Sequence, residues 1–226
     1  MRYMKYAAII VAAGSSRRMK GIDKIFSELA GKPVLQHCLE QFVKSKLFSQ
    51  IVVVVNSTSI EKVDGILTSL HYEGLKTVIG GNRRQDSVFQ GLDAISICDY
   101  VAIHDGARPF VTQELLRSGI QCVRKTGAAI PVLPLQDTIK KIDTQNIVSE
   151  TMNRNTLHRA QTPQFFQYDL IMEAHQSVDR DVTDDSTMVE MMGKPVLAFQ
   201  GDPNNVKITT QLDLVYLQHM LMEKNI

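Results

Sequence analysis

Short apolar runs alternate along the chain with segments in which apolar residues recur every three or four positions. The runs predict β-strands over residues 6–13, 50–56, 77–79, 100–104, 128–133 and 196–199. The intervening segments predict amphipathic helices whose apolar stripes start at Leu35, Ile60, Val88 and Leu116, and a last helix over residues 211–224. Strands that alternate with helices in this way indicate an α/β fold with a mainly parallel, twisted sheet flanked by helices.

One segment departs from this alternation. Residues 137–151 alternate apolar and polar positions around the polar tetrapeptide Asp143-Thr144-Gln145-Asn146, which predicts a β-hairpin. A two-stranded ribbon is only marginally stable on its own in water. We therefore expect an arm at about residues 135–155 that projects from the domain and packs against a partner subunit.

Length and composition favour one domain over residues 1–226. Hydrophobic residues make up 44% of the chain and charged residues 22%, as in ordinary globular proteins. The net charge of +1 gives no broad basic face for nucleic acid or a membrane surface, and no apolar run reaches the roughly 18 residues of a membrane span. Cys38, Cys98 and Cys122 lack the spacing of a zinc site and indicate a reducing, cytoplasmic environment.

The loop after the first predicted strand is the first of three candidate ligand sites. Ligands of an open parallel sheet bind outside the carboxyl ends of its strands. The segment Gly14-Ser15-Ser16-Arg17-Arg18 offers backbone N–H groups and cationic side chains to phosphate oxygens there. It matches neither a Walker A loop nor the G-x-G-x-x-G pattern, and a tight turn with a solvated basic edge is the alternative interpretation. We predict that this loop holds the phosphates of a nucleotide.

The second candidate loop runs from Gly80 to Ser87, between the third predicted strand and a helix. Its paired glycines permit close approach of a flat base to the backbone. Asp86 or Ser87 is suited to cap the helix that follows. A plain turn with an N-cap explains this segment equally well.

The third candidate loop is His104-Asp105-Gly106-Ala107-Arg108-Pro109, after the fourth predicted strand. A carboxylate at a strand end beside a phosphate site is a suitable ligand for Mg²⁺, which uses one or two carboxylates besides substrate phosphates. A surface ion pair is the alternative interpretation of Asp105. We expect His104 to be a structural, hydrogen-bonded histidine.

Sequence motifs cover all three loops and continue downstream. The motifs in the loops are Ala12-Ala13-Gly14-Ser15-Ser16-Arg17-Arg18-Met19, Gly80-Gly81 with Arg84 and Asp86-Ser87-Val88, and His104-Asp105-Gly106-Ala107-Arg108-Pro109. The downstream motifs are Asp137-Thr138, Asn153-Arg154-Asn155, Thr162-Pro163-Gln164-Phe165, Thr183-Asp184 and Asn205-Val206-Lys207-Ile208-Thr209. In their order and spacing they resemble the motifs of the 2-C-methyl-D-erythritol 4-phosphate cytidylyltransferases of the non-mevalonate isoprenoid pathway.

The resemblance implies a Rossmann-like nucleotidyltransferase fold in a homodimer. It implies a reaction in which the phosphate of methylerythritol phosphate attacks the α-phosphorus of CTP and releases pyrophosphate, with Mg²⁺ or another divalent cation placed by Asp105. Catalytic roles are implied for Arg18, Lys24 and Lys207. Nucleotide contacts are implied for Ala12, Ala13, Gly14, Ser15, Gly81, Asn82, Ser87 and Asp105. Acceptor contacts are implied for Arg108, Thr183 and Lys207, together with Thr138 and Arg154 from the arm of the partner.

The chemistry of the residues agrees with that reaction, because phosphoryl-type transfer needs positioning and cationic groups at developing negative charge. Two positions depart from the family pattern: Asn82 replaces an aspartate, and Lys24 lies between Asp23 and Ile25 instead of proline and glutamine. Two alternatives stay open. One is a cytidylyltransferase for ribitol 5-phosphate or another polyol phosphate, and the other is a nucleotide-binding module without activity.

Overall fold

The computed structural model describes residues 4–14, 23–96 and 98–224. The strands are β1 (Tyr6–Val11), β2 (Glu28–Leu29), β3 (Lys32–Pro33), β4 (Gln50–Val55), β5 (Leu75–Ile79), β6 (Tyr100–Asp105), β7 (Ala128–Pro134), β8 (Lys140–Ile142), β9 (Val148–Thr151), β10 (His158–Ala160), β11 (Gln164–Gln167) and β12 (Leu197–Gln200). The helices are α1 (Val34–Ser45), α2 (Ile60–Ser69), α3 (Arg84–Asp93), α4 (Gln113–Thr126), α5 (Tyr168–Ser177), α6 (Asp185–Met191) and α7 (Gln211–Lys224).

An eight-stranded sheet forms the centre of the molecule. Its strands pair in the order β10-β7-β11-β6-β1-β4-β5, and β12 pairs with β7. The pairs β6–β1, β1–β4, β4–β5 and β12–β7 are parallel, whereas β11 is antiparallel to both β6 and β7. The predicted α/β class with a mainly parallel sheet is therefore confirmed.

Helices cover both faces of the sheet, which explains why β1 is apolar at every position. Successive side chains of a strand point to opposite faces. Ala8 and Ile10 of β1 belong to a core cluster with residues of α1, α2 and α4. Ala7 and Ile9 belong to a second cluster with residues of α3, α5 and α6. Because both faces of the sheet are buried, polar and apolar residues do not alternate along β1.

Strand β11 is the main element that the sequence pattern did not predict. It lies between β6 and β7, which follow each other in the chain but are not neighbours in the sheet. Its only apolar residues are Phe165 and Phe166, which are buried in the two different core clusters. Two adjacent apolar residues are too short a signal for a strand, and the following helix α5 was missed as well.

The predicted hairpin is confirmed. β8 and β9 pair antiparallel, and Asp143 Oδ1 accepts hydrogen bonds from the backbone N–H groups of Gln145 and Ile147 at 2.9 Å each in the connecting turn. Every residue of both strands is exposed. Ile147 and Val148 expose 59% and 54% of their surfaces. The arm thus presents apolar side chains that the described part of the chain leaves uncovered.

The last helix, α7, packs beside the loop that follows β6. Leu217 of this helix is buried in a third, smaller cluster with Leu29, Ala107 and Ile208. Helix α7 therefore supports the backbone next to Asp105 from outside the sheet. Within the described residues, no helix is long and apolar enough to cross a lipid bilayer.

Candidate active site

The three loops singled out in the sequence meet at one edge of the sheet. β1 and β6 end side by side, because Val11 pairs with Asp105 and the Gly106 N–H donates to Val11 O at 2.9 Å. The loop after β5 joins them, since a Cβ built at Gly80 would lie 2.8 Å from the Cβ of Ala13. Only glycine permits that approach. The carboxyl ends of β1, β5 and β6 thus form a single candidate site.

Asp105 is a buried carboxylate surrounded by three cations. Lys207 Nζ lies 2.8 Å from Oδ2, Arg84 Nε lies 3.4 Å from Oδ1, and Arg108 Nε lies 3.6 Å from Oδ2. Burial alone would raise the pKa of the Asp105 carboxyl, but the charges of the three cations outweigh burial and hold this pKa well below its usual range. The group therefore combines one ionised carboxylate with an excess of positive charge.

The backbone around Lys207 is fixed against the loop after β6. The Ile208 N–H donates to Ala107 O at 2.9 Å. Arg108 Nη1 donates to Asn205 O at 2.7 Å, and the Asn205 side chain is buried. These bonds place the Lys207 ammonium beside a carboxylate that is far away in the sequence.

His104 is buried, and both of its ring nitrogens have hydrogen-bond partners. Nε2 lies 3.1 Å from Arg108 O, which only accepts, so Nε2 carries the proton. Nδ1 then accepts from the Thr162 hydroxyl at 3.1 Å, and that hydroxyl oxygen accepts from the Asp105 N–H at 3.1 Å. Burial lowers the pKa of His104 from 6.5 to about 4. The ring is therefore neutral and ties together the backbone that carries Asp105 and Arg108.

Arg84 connects Asp105 to a second buried carboxylate. Its Nη1 lies 2.8 Å from Asp185 Oδ2, and the Asp185 side chain is 1% exposed. Burial alone would lower the pKa of Arg84, but the charges of Asp185 and Asp105 outweigh it and raise this pKa. Asp185 was not singled out in the sequence, and Arg84 was given no role. The one available signal was the position of Asp185 directly after the matched pair Thr183-Asp184.

The residues implied to act on the nucleotide fall into two groups. Ser15 and Arg18 lie outside the described residues. Ala12 and Ala13 directly follow β1, and Gly14 after them is exposed. Lys24 is half-buried in a turn after the undescribed segment. The structure thus brings the start of the first loop to the site and leaves the placement of Arg18 a prediction.

Asp86, rather than Ser87, accepts a backbone N–H at the start of α3. Asp86 is the third residue of this helix, and its Oδ2 accepts from the N–H of the N-cap residue Arg83 at 3.0 Å. The Ser87 hydroxyl instead donates to Arg83 O at 3.1 Å and lies 3.4 Å from Gly81 O. Asn82 is exposed in this loop. The second loop is therefore held by its own polar side chains next to Asp105.

Two of the five residues implied to bind the acceptor line a common cavity. Arg108 and Lys207 are in the wall of a cavity of about 300 Å³ beside Asp105. Thr183 is exposed and lies outside that wall. Thr138 and Arg154 are exposed at the base of the arm and do not line this cavity in the same chain. Their contact with an acceptor stays a prediction that requires a second subunit.

The site offers few protein ligands for a metal. In residues 4–14, 23–96 and 98–224, no three His, Cys, Asp or Glu side chains are grouped so that they could hold a metal ion. Asp105 supplies one ionised carboxylate at the edge where a nucleotide phosphate is expected. A metal held here would depend on oxygen ligands from a substrate.

Comparison with known proteins gives one consistent result. A family model described as 2-C-methyl-D-erythritol 4-phosphate cytidylyltransferase (IspD) matches residues 6–223. A protein of that name from Dehalococcoides mccartyi is 42% identical over 218 residues, with 96% of each chain covered. Another from Halalkalibacterium halodurans is 40% identical over 226 residues, with 98% of this chain and 99% of the relative covered.

Solved structures agree with the sequence comparisons. The crystal structure of 4-diphosphocytidyl-2C-methyl-D-erythritol synthase from Anaerococcus prevotii superimposes with a TM-score of 0.86 at 33% identity, covering 97% of this chain and 99% of that chain. The 2-C-methyl-D-erythritol 4-phosphate cytidylyltransferase from Thermus thermophilus gives 0.79 at 28% identity, covering 95% and 98%. The match is full-length in sequence and in structure. The chain belongs to the 2-C-methyl-D-erythritol 4-phosphate cytidylyltransferase family.

Proposed function

We propose that this chain transfers a cytidylyl group from CTP to 2-C-methyl-D-erythritol 4-phosphate, a step of isoprenoid synthesis. The products are 4-diphosphocytidyl-2-C-methyl-D-erythritol and pyrophosphate. The observation that carries the proposal is the group of Lys207, Arg84 and Arg108 around Asp105 at the carboxyl edge of the sheet. It provides concentrated positive charge where two phosphorylated substrates must meet.

The reaction is an in-line displacement at phosphorus. A phosphate oxygen of the acceptor forms a bond to the α-phosphorus of CTP, and the bond from that phosphorus to the bridging oxygen breaks, so that pyrophosphate leaves with the electron pair. Lys207, with Lys24 and Arg18, stabilises the negative charge that develops on the α-phosphate. Removing such a preorganised charge typically costs a factor of about 100 to 1,000 in kcat.

The acceptor needs no general base, because a phosphate monoester is largely dianionic at neutral pH. This agrees with the environment of His104, whose two ring nitrogens are both occupied by protein groups. The low pKa of about 4 keeps this histidine neutral. We assign it to holding the backbone of the site rather than to moving a proton.

The nucleotide is bound by the first two loops. Gly14 and Ser15 bind the triphosphate. The cytosine is read largely by the backbone and side chains around Ala12, Ala13, Gly81, Asn82 and Ser87. A Cβ at Gly81 would lie 2.4 Å from the Cβ of Asp86, so this position accepts only glycine. Without a side chain, the backbone groups of Gly81 are accessible to a ligand. Contacts made by backbone do not depend on the replacement of the family aspartate by Asn82.

A divalent cation, Mg²⁺ or a similar ion, fits the site only together with CTP. Asp105 would hold it, because this carboxyl stays ionised and Mg²⁺ uses one or two carboxylates besides substrate phosphates. The cation would neutralise part of the charge of the triphosphate. The protein contributes the remaining positive charge through the three cations around Asp105.

We further propose that the active form is a homodimer built through the arm, with a single domain in each subunit. The exposed Ile142, Ile147 and Val148 support an arm that packs against a second copy. Thr138 and Arg154 of that arm would then contact the acceptor in the partner's site. The free cysteines of the chain support a reducing, cytoplasmic location.

The substrate comparison tests the proposed function directly. Pyrophosphate release is measured with CTP and either methylerythritol phosphate or ribitol 5-phosphate, each over a range of concentrations. We expect kcat/KM to be higher with methylerythritol phosphate by a factor of at least about 100. Preferred turnover of ribitol 5-phosphate would overturn the acceptor, and no turnover with either would favour a binding module.

A further inference from the structure

The cavity beside Asp105 contains a third cation that the family motifs do not include. Its wall is formed in part by Arg108, Lys207 and Arg159. Arg159 lies on β10, paired with Leu133 of β7. The cavity measures about 300 Å³, which is enough for a phosphate group and a short polyol.

The side of β10 that carries Arg159 faces the guanidinium of Arg108. Pairing with β7 continues through Gln161, whose N–H donates to Pro131 O at 2.8 Å, so residues 159 and 161 share one face. Gln161 Nε2 donates to Asn205 O at 3.3 Å, and Arg108 Nη1 donates to the same oxygen at 2.7 Å. The two arginines thus approach the cavity from adjoining walls.

The positive charge of Arg159 is not compensated by the described residues. Lys207 and Arg108 both lie next to Asp105. Asp213, the one carboxylate among the described residues of the cavity wall, accepts hydrogen bonds from the N–H groups of residues 209 and 210. The side chain of Arg159 has neither an ion pair nor a hydrogen bond among residues 4–14, 23–96 and 98–224. It therefore provides the excess charge that a dianionic ligand needs.

Electrostatic repulsion between the two arginines is consistent with this arrangement. Arg108 lies beside Asp105, whereas the side chain of Arg159 has no carboxylate partner among the described residues. Like charges that face one cavity are costly in the absence of an anion. Their coexistence in one wall indicates a place that an anion fills.

We propose that Arg159 binds the phosphomonoester of the acceptor together with Arg108 and Lys207. A guanidinium donates two parallel hydrogen bonds to a phosphate, which gives both charge and orientation. Arg159 thereby selects an acceptor with a dianionic phosphate without taking part in the chemical step. This inference rests on the proposed function, because it places the acceptor's phosphate in this cavity.

The experiment compares Arg159→Gln and Arg159→Lys with the wild-type chain in steady-state kinetics. Arg117→Gln is the matched control, because Arg117 is an exposed arginine on α4 outside the cavity. We expect Arg159→Gln to raise the KM for the acceptor about tenfold, with kcat and the KM for CTP within about twofold of wild type. Arg159→Lys keeps the charge but loses the paired donors, so its KM for the acceptor falls between those of the wild type and Arg159→Gln. The control variant behaves as wild type.

Two further results would overturn the inference. One is an unchanged KM for the acceptor in Arg159→Gln, and the other is a loss confined to kcat. Inorganic phosphate provides an independent readout by calorimetry in the absence of CTP, and we expect about tenfold weaker binding to Arg159→Gln. If the wild-type chain turns over no acceptor, the proposed function fails, while equal phosphate affinity of wild type and variant would still refute the role of Arg159.

Discussion

His104 is a single buried residue whose protonation couples the pH to the stability of the fold. Its pKa is about 4 in the folded chain, whereas the ordinary value of 6.5 applies to the unfolded chain. Between these two pH values the unfolded chain therefore binds more protons than the folded chain. The neutral ring stabilises the fold fully above pH 6.5, and this contribution is lost as the pH falls toward 4.

The expected loss amounts to about 3 kcal/mol in the free energy of unfolding between pH 6.5 and 4. Urea unfolding at closely spaced pH values measures it. His104→Asn should show a shallower slope over this range than wild type. His71→Asn, which changes an exposed histidine, is the control and should retain the wild-type slope. Parallel slopes in all three proteins would contradict a neutral, buried His104.

Asp185 holds Arg84 through a buried ion pair, and the chain contains an exposed pair for comparison. Arg84 Nη1 lies 2.8 Å from the carboxylate of Asp185, which is 1% exposed. Arg83 Nη1 lies 3.0 Å from the carboxylate of Asp181, which is 78% exposed. The distances are similar, whereas the solvation of the two carboxylates differs.

We expect Asp185→Asn to lower the free energy of unfolding by about 3 kcal/mol, because it removes one partner of a buried pair. Asp181→Asn should cost less than about 1 kcal/mol, because its pair is solvated. Denaturant unfolding of both variants at neutral pH provides the comparison. Equal losses in the two variants would show that burial does not govern the strength of these pairs.

At the scale of single elements, the arm made of β8 and β9 is the segment most dependent on a partner. Ile147 exposes 59% of its surface on this ribbon. We expect Ile147→Ser to shift the chain toward monomer in analytical ultracentrifugation, because it removes apolar area from the proposed interface. Leu212→Ser, at an exposed apolar residue of α7, is the matched control. If Ile147→Ser stays dimeric and the control Leu212→Ser dissociates, the interface is formed by α7 and not by the arm.

Some strands of the sheet were predictable from the sequence and others were not, because only some of them carry a local apolar pattern. The strands β1, β4 and β6 contain apolar runs of four or more residues because helices cover both faces of the sheet, and such runs are visible in a sequence. Strand β11 has only Phe165 and Phe166 as apolar residues, and its position depends on pairing with two distant strands. Pairing across the chain leaves no local signal, so no pattern indicated it.

The same difference applies to the candidate site. Asp105 was predicted because it ends a strand, and parallel strand ends share one edge of the sheet. The contact between Arg84 and Asp185 joins α3 to α6, which lie far apart in sequence. Two adjacent acidic residues at a helix start are ordinary capping residues. Tertiary packing alone distinguishes the buried one from the capping one.

At the scale of the whole molecule, we expect each active site to need residues from two subunits. Arg154→Ala should raise the KM for the acceptor far more than the KM for CTP, because the proposed contact of Arg154 is with the partner's acceptor. Lys24→Ala should abolish turnover. Mixing the Arg154→Ala and Lys24→Ala chains should restore activity at acceptor concentrations where neither variant alone is active, because one of the two sites in a heterodimer is then intact. Heterodimers that are demonstrated but inactive would rule out the shared site.

The position of β11 also constrains the order in which the chain can assemble during synthesis. β6 and β7 are made early, but the place between them stays vacant until residues 164–167 have left the ribosome. A nascent chain that ends before this point exposes the unpaired backbone edge of β6, which is a template for wrong pairing. Strands β6, β1, β4 and β5 can pair with each other beforehand, whereas β7 pairs only with strands that follow it in the chain. Completion of the sheet, and with it the hydrogen bond from the Asp105 N–H to the Thr162 hydroxyl, is therefore a late event in synthesis.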